Sequence, residues 1–138
     1  MQFIREKSGL AAGDGSWSSV SDRKAKENFS SVDGVSLLGK LSAIPMQTWN
    51  YKSQDASIRH MGPMAQDFRA AFGLGEDDKH ISTVDADGVA LAGILALYRM
   101  VREKDAQIER LTEHVQQLQA AVEGLQSRLG VEVSTARK

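Results

Sequence analysis

From Ile94 onward the chain repeats itself every seven residues. Ile94, Val101, Ile108, Val115, Val122 and Leu129 hold one register, and Leu97, Lys104, Leu111, Leu118 and Leu125 the other, at alternating spacings of four and three. These are the a and d positions of a heptad repeat, sustained for about five heptads, with Lys104 the only polar residue on the seam. A stripe of this kind has nothing to bury against within a single helix, so it requires a partner. The partner is either another copy, giving a coiled coil, or the rest of the same chain if the helix folds back. β-Branched residues at a with Leu at d lean towards parallel dimers. The flanking positions Tyr98, Gln107, Thr112, Gln119 and Gln126 are uncharged, which leaves room for a broader interface. Gly124 weakens the helix by up to ~1 kcal/mol relative to Ala. Gly130 is a natural stop, and the tail 131–138 reads as frayed.

Composition bounds the remainder. The 138 residues carry 17 basic and 18 acidic side chains, a net charge of −1, no Cys and three His. The near-neutral balance argues against a dedicated nucleic-acid partner. The lack of Cys excludes a disulfide framework, a thiolate nucleophile and Cys-ligated zinc. Three scattered His give no metal site, and no cofactor is expected. No apolar stretch approaches the ~18 residues of a membrane span, so no membrane partner is expected either. The opening Met1-Gln2-Phe3-Ile4-Arg5-Glu6-Lys7 puts charge where a signal peptide needs its apolar centre.

Upstream of the heptads lies a compact mixed region, 21–92. Val35, Leu38 and Leu41 have helical spacing after Asp33-Gly34, which predicts a short helix. Met46 to Tyr51 alternates apolar and polar side chains and predicts a strand; Pro45 suits its start. Ser57 to Met61 predicts a second strand, with 53–56 as the hairpin loop. Pro63 is placed at the first position of a helix that runs to Phe72 with Met64, Phe68 and Phe72 on one face, ended by Gly73-Leu74-Gly75. Ile81 to Val84 predicts a third strand, 85–88 a turn, and Val89 the start of the long helix. A region of ~70 residues has a marginal core of its own. The fold class is therefore α+β: a small mixed domain, 21–92, followed by a coiled-coil helix, 93–130. Residues 1–20 are rich in Gly, Ala and Ser around Ser8 to Ser16. They have too little apolar surface to fold alone and read as a linker or the end of a larger upstream protein.

The residues with the clearest chemical potential are Ser21 and Lys26, in Ser21-Asp22-Arg23-Lys24-Ala25-Lys26-Glu27-Asn28. A Ser hydroxyl needs a base to become a nucleophile. A Lys supplies one only when uncharged, a form favoured by burial and by cationic neighbours such as Arg23 and Lys24. On a regular helix, residues five apart point about 140° away from each other, so a Ser–Lys dyad needs a turn between them or a side chain from another copy. The competing reading is a helix N-cap followed by a solvated charge cluster.

The same run resembles the Ser-Asp-Arg-x-x-Lys-Glu-Asn signature that opens the intramolecular chaperone auto-processing domain, the S74 peptidase family. That domain ends phage tail-spike and tail-fibre proteins such as endosialidases. Further motifs agree in order. Trp49-Asn50-Tyr51 matches the strand after the first helix. Arg59-His60-Met61-Gly62-Pro63-Met64-Ala65-Gln66-Asp67 resembles the His-x-Gly-hydrophobic-hydrophobic-Ala-Gln-acidic segment, and Thr83-Val84-Asp85-Ala86-Asp87-Gly88 the Val-Asp-x-x-Gly turn. Ala25 departs from the pattern, which often has Leu or Ile before the Lys. The resemblance implies a C-terminal chaperone that brings the chains of an attached fibre or spike together as a homotrimer and then cuts itself off. Its substrate is its own upstream polypeptide, and its setting is the bacterial cytoplasm during phage or phage-like assembly. It implies Ser21 as nucleophile, Lys26 as base, and a parallel trimer through the helices in place of the dimer towards which the seam leans. The alternatives are a non-cleaving trimerisation module and a processing domain of a non-phage bacterial protein.

Geometry favours cleavage of the Val20–Ser21 bond, because attack of the Ser21 hydroxyl on the preceding carbonyl passes through a five-membered ring. Attack by a neighbouring copy lifts that restriction and brings in Ser21–Asp22. His60 and Asp22 are candidates for a supporting role. For His60 the competing reading is a structural hydrogen bond; for Asp22 it is an N-cap or a surface ion pair. Asp85 and Asp87 lack the ligand spacing of a calcium loop, so no metal is expected there. Trp17 and Trp49 are expected to be core or interface anchors.

Overall fold

Asp33 sets the first packed element of the chain. Its carboxylate accepts hydrogen bonds from the backbone N–H of Val35 (3.0 Å) and Ser36 (3.2 Å), satisfying donors that a helix start leaves open. The helix that follows, α1, spans Gly34–Ala43. The computed structural model describes residues 8–9 and 18–130. Trp17, the tail 131–138 and most of 1–20 lie outside the described residues. Two compact units make up the chain, Met1–Leu95 and Ala96–Lys138.

The first unit is a small mixed domain. Strands β1 (Ser8–Gly9) and β2 (Ser18–Ser19) pair antiparallel. Strands β3 (Gln47–Trp49) and β4 (His60–Gly62) form a second antiparallel pair, in the register Gln47 to Gly62, Thr48 to Met61 and Trp49 to His60. Helix α2 spans Ala65–Phe72 and ends at Gly73, whose φ of +66° is a left-handed cap that Gly adopts without a Cβ clash. Helix α3 runs Thr83–Leu129, with Gly130 at φ +69° just past its end.

The core is Leu37, Phe68 and Val89, with Leu41, Phe72, Ile81 and Ala92 packed against it. The rings of Phe68 and Phe72 meet edge to face at 5.0 Å. α3 passes α1 at Gly93, where an added Cβ would stand at ordinary contact distance, 3.7 Å, from both Leu37 and Leu41. No side chain among the described residues falls below 2% exposure, as expected when so little chain has to cover a core.

Several sequence expectations are corrected. The buried face of α1 is Leu37 and Ile44, with Leu41 half-buried, while Val35 is 70% exposed. The expected stripe was Val35, Leu38 and Leu41; Leu38 and Leu41 are half-buried, and the position of α2 and α3 covers Leu37 in place of Val35. Pro63 precedes the helix instead of opening it, because β4 continues to Gly62 and Met64 is the N-cap. The strand expected from Ser57 starts at His60. Asp55 captures Ser57 through its N–H (2.9 Å) and hydroxyl (2.6 Å), and Ile58 N–H bonds the Asp55 carbonyl, so a turn occupies the first half of the expected strand. These bonds also hold the Asp55 carboxyl below its usual range.

The third strand and the following turn are absent: α3 already begins at Thr83. The Ser82 carbonyl accepts from Asp85 and Ala86 N–H, and Asp85 lies in the first turn, where negative charge suits the helix dipole. Gly88 costs the helix up to ~1 kcal/mol, which burial of Val89 and Ala92 against the core offsets.

The loop before α3 is closed by Asp77, which accepts from Lys79 N–H (2.6 Å), His80 N–H (2.9 Å) and His80 Nδ1 (2.9 Å). The Lys79 bond foremost, then the His80 ring, pull its carboxyl from 3.8 to about 2. A depressed carboxyl stabilises the fold above its unfolded value and loses that contribution as pH falls through the folded one. The protection of the Lys79 and His80 amides, taken relative to their intrinsic exchange rates, should therefore fall between about pH 4 and pH 2, and Asp77→Asn should remove that fall.

The second unit consists of α3 from Ala96. Among the described residues its heptad side chains are left open: Val101, Ile108, Leu111, Val115, Leu118, Val122 and Leu125 are all half or more exposed. No helix among the described residues is long and apolar enough to cross a membrane.

Candidate active site

Asp22 makes the local turn that brings Ser21 to Lys26. Its carboxylate accepts from Lys24 N–H at 3.0 Å, and its carbonyl accepts from Ala25 N–H at 3.0 Å. A single 3-10 turn, Arg23–Ala25, results. The backbone is extended on both sides, at Asp22 (φ −65°, ψ 133°) and Lys26 (φ −122°, ψ 152°). A chain that enters and leaves a tight turn extended brings its flanks together, and Lys26 Nζ donates to Ser21 Oγ at 2.7 Å. On a continuous helix the two side chains would diverge.

At 2.7 Å the pair is within the reach required of a nucleophile and its base. For catalysis the bond must reverse, so that the hydroxyl donates to an uncharged amine. Both side chains are exposed in the single chain. The adjoining Val20 is 54% exposed, so the Val20–Ser21 and Ser21–Asp22 peptide bonds lie at the surface.

The structure gives Asp22 its N-cap role: its carboxylate bonds the turn, which sets the separation of Ser21 and Lys26. His60 sits elsewhere, in the β3–β4 pair. Its Nε2 is 2.9 Å from Gln54 Oε1, and its ring packs on Trp49 (5.0 Å) and Tyr51 (5.3 Å). No hydrogen bond joins it to Ser21 or Lys26 among the described residues. Trp49 anchors this aromatic group, with its indole N–H buried and without an acceptor. No cluster of metal-ligating side chains occurs among the described residues.

Two residues that sequence reasoning passed over shape these elements. Arg59 clamps β3, donating to the Thr48 carbonyl (2.8 Å) and to Asn50 Oδ1 (3.0 Å). A long cation opposite Thr and Asn across a hairpin was the available signal. Asn28 adopts φ +54° just after the Lys26 turn, a conformation for which Asn is enriched.

No curated protein matches the chain. Residues 21–74 match the model of the peptidase S74 family, described as chaperone of endosialidase. The match begins at Ser21, includes the Lys26 turn, the β3–β4 pair and α2, and ends just past Gly73. Over residues 21–74, then, this protein is similar to the S74 chaperone-of-endosialidase family.

Proposed function

We propose that this protein is a C-terminal intramolecular chaperone that gathers an attached fibre or spike into a homotrimer and then releases itself by one Ser–Lys cleavage beside Ser21. The contact between Lys26 Nζ and Ser21 Oγ carries this reading, and the family match over the same residues supports it. In this reading 1–20 is the end of the released protein, 21–92 the processing domain, 93–130 the trimerising helix and 131–138 a tail. The setting is the bacterial cytoplasm during phage or phage-like assembly.

The chemistry balances as a hydrolysis. Ser21 Oγ adds to the Val20 carbonyl carbon through a five-membered ring, and Lys26 takes the hydroxyl proton. The C–N bond breaks, Lys26 returns the proton to the Ser21 nitrogen, and Val20 is left as an ester on Oγ. Water opens the ester to the Val20 carboxylate and the free hydroxyl. If Ser21 of a neighbouring copy attacks, the same steps open Ser21–Asp22. Only one turnover is needed, so holding the two groups in place matters more than binding a substrate. Desolvation favours the uncharged amine, and association of copies would provide it for a pair that is exposed in the single chain. Cleavage is thereby coupled to assembly.

Denaturing and native mass measurements on one sample test this. The expected result is loss of residues 1–20 or 1–21 together with the native mass of three chains. An intact chain in a three-chain assembly would leave the non-cleaving trimerisation module; a single-chain native mass would remove the chaperone mechanism.

A further inference from the structure

We infer that Lys104 and Asp105 form a charged layer that locks the helices of neighbouring copies in parallel, in-register alignment. The inference rests on the self-association proposed above. The seam repeats Leu at d and a β-branched residue at most a positions, so most of its layers are alike. A slip of one heptad, about 10 Å along the axis, gives up end layers and keeps the rest matched. Apolar packing alone therefore discriminates poorly against slipped bundles, and register needs a polar device.

Lys104 is the one polar seam residue, and its amine leans to Gln107 Oε1 at 3.1 Å, one turn along the same helix. In a parallel, in-register bundle a d side chain packs beside the e position of the same heptad on its neighbour. For Lys104 that position is Asp105. The other e positions are Tyr98, Thr112, Gln119 and Gln126, so Asp105 is the only carboxylate on that flank. The g flank, with Met100, Gln107, His114, Ala121 and Arg128, has none.

In register, each amine meets a carboxylate of the neighbouring copy and Gln107 supports it from its own chain. Slipped by one heptad, Lys104 enters a Leu97 or Leu111 layer beside Tyr98 or Thr112, with its charge desolvated and unpaired. That penalty falls on every copy. The same pairing disfavours antiparallel arrangements, in which Lys104 and Asp105 no longer share a level.

The chain has no Cys, so single introduced thiols report register directly. Full-length copies carrying Val115→Cys are mixed with copies carrying Val122→Cys, unfolded, refolded together and gently oxidised. With Lys104 and Asp105 intact, the expected cross-links join like positions only. In a Lys104→Leu background, 115-to-122 cross-links should appear while the assembly becomes more resistant to dilution. Asp105→Asn should weaken association by about tenfold or more, and Lys104→Leu added to it should restore association. Absence of mixed cross-links with Lys104→Leu, or unchanged association with Asp105→Asn, would overturn the register inference alone. A single-chain mass in every background, without cross-links of either kind, would remove the self-association reading as well.

Discussion

A chain carrying Ser21→Ala is expected to keep all 138 residues through expression and purification, whereas the unaltered chain ends as a fragment beginning at Ser21 or Asp22. The substitution removes the one atom that can attack a neighbouring carbonyl and leaves the turn in place, because the bonds of Asp22 to Lys24 and Ala25 do not involve the Ser21 side chain. Assembly should therefore survive, and native mass should still report several copies. Lys26→Ala should give the same intact chain for a different reason, since the nucleophile remains but its proton has no acceptor. Uncatalysed peptide hydrolysis is negligible on a laboratory timescale, so both variants should read as an all-or-none loss on a denaturing gel. A cut Lys26→Ala chain would remove the dyad. Asp22→Ala should fall between these extremes: loss of a cap of ~1 kcal/mol loosens the turn that sets the 2.7 Å contact and slows the cut without abolishing it.

Placing Asp at both Leu111 and Leu118 should reduce the native mass to that of one chain. Each Leu is more than half exposed on α3 and is expected to bury its side chain only against another copy. Each contributes about 2 kcal/mol of burial, and each replacement puts a carboxylate into the seam with no cation beside it. Summed over every copy, the loss exceeds what holds an ordinary assembly together. Cleavage should stop as well if the dyad works only after association, while the β3–β4 pair keeps its cross-strand contacts by NMR. A cut but monomeric double variant would show that one chain completes the site alone, and the proposed coupling to assembly would be wrong.

The long helix was legible because a period of seven over so long a run fits a helix and no other element. The dyad was half legible. Two residues five apart gave no reason to meet until a turn was required of them, and the cue to that turn was Asp22, whose capping habit was recognised as a rival to chemistry. In the structure its turn is what brings the Ser21 and Lys26 side chains within 2.7 Å. Local propensity misled at Ile81 to Val84, where a β-branched run precedes Gly88 and reads as strand and turn. The long helix takes Thr83 and Val84 because Val89 and Ala92 are needed at the core beside Leu37 and Phe68, a demand that no short window contains. The face of α1 failed for a related reason: Val35 and Leu37 are both apolar, and only the neighbours in space decide which one is covered.

Leu37, Phe68 and Val89 each leave six to eight per cent of their surface in water, and among the described residues nothing lies deeper. If copies associate through α3 as proposed, a nucleus this shallow gains stability from the surface hidden between them, which ties that part of its stability to mass action. The midpoint of heat denaturation should accordingly climb with protein concentration. In a dilute sample the domain should then soften at temperatures where a concentrated one stays ordered.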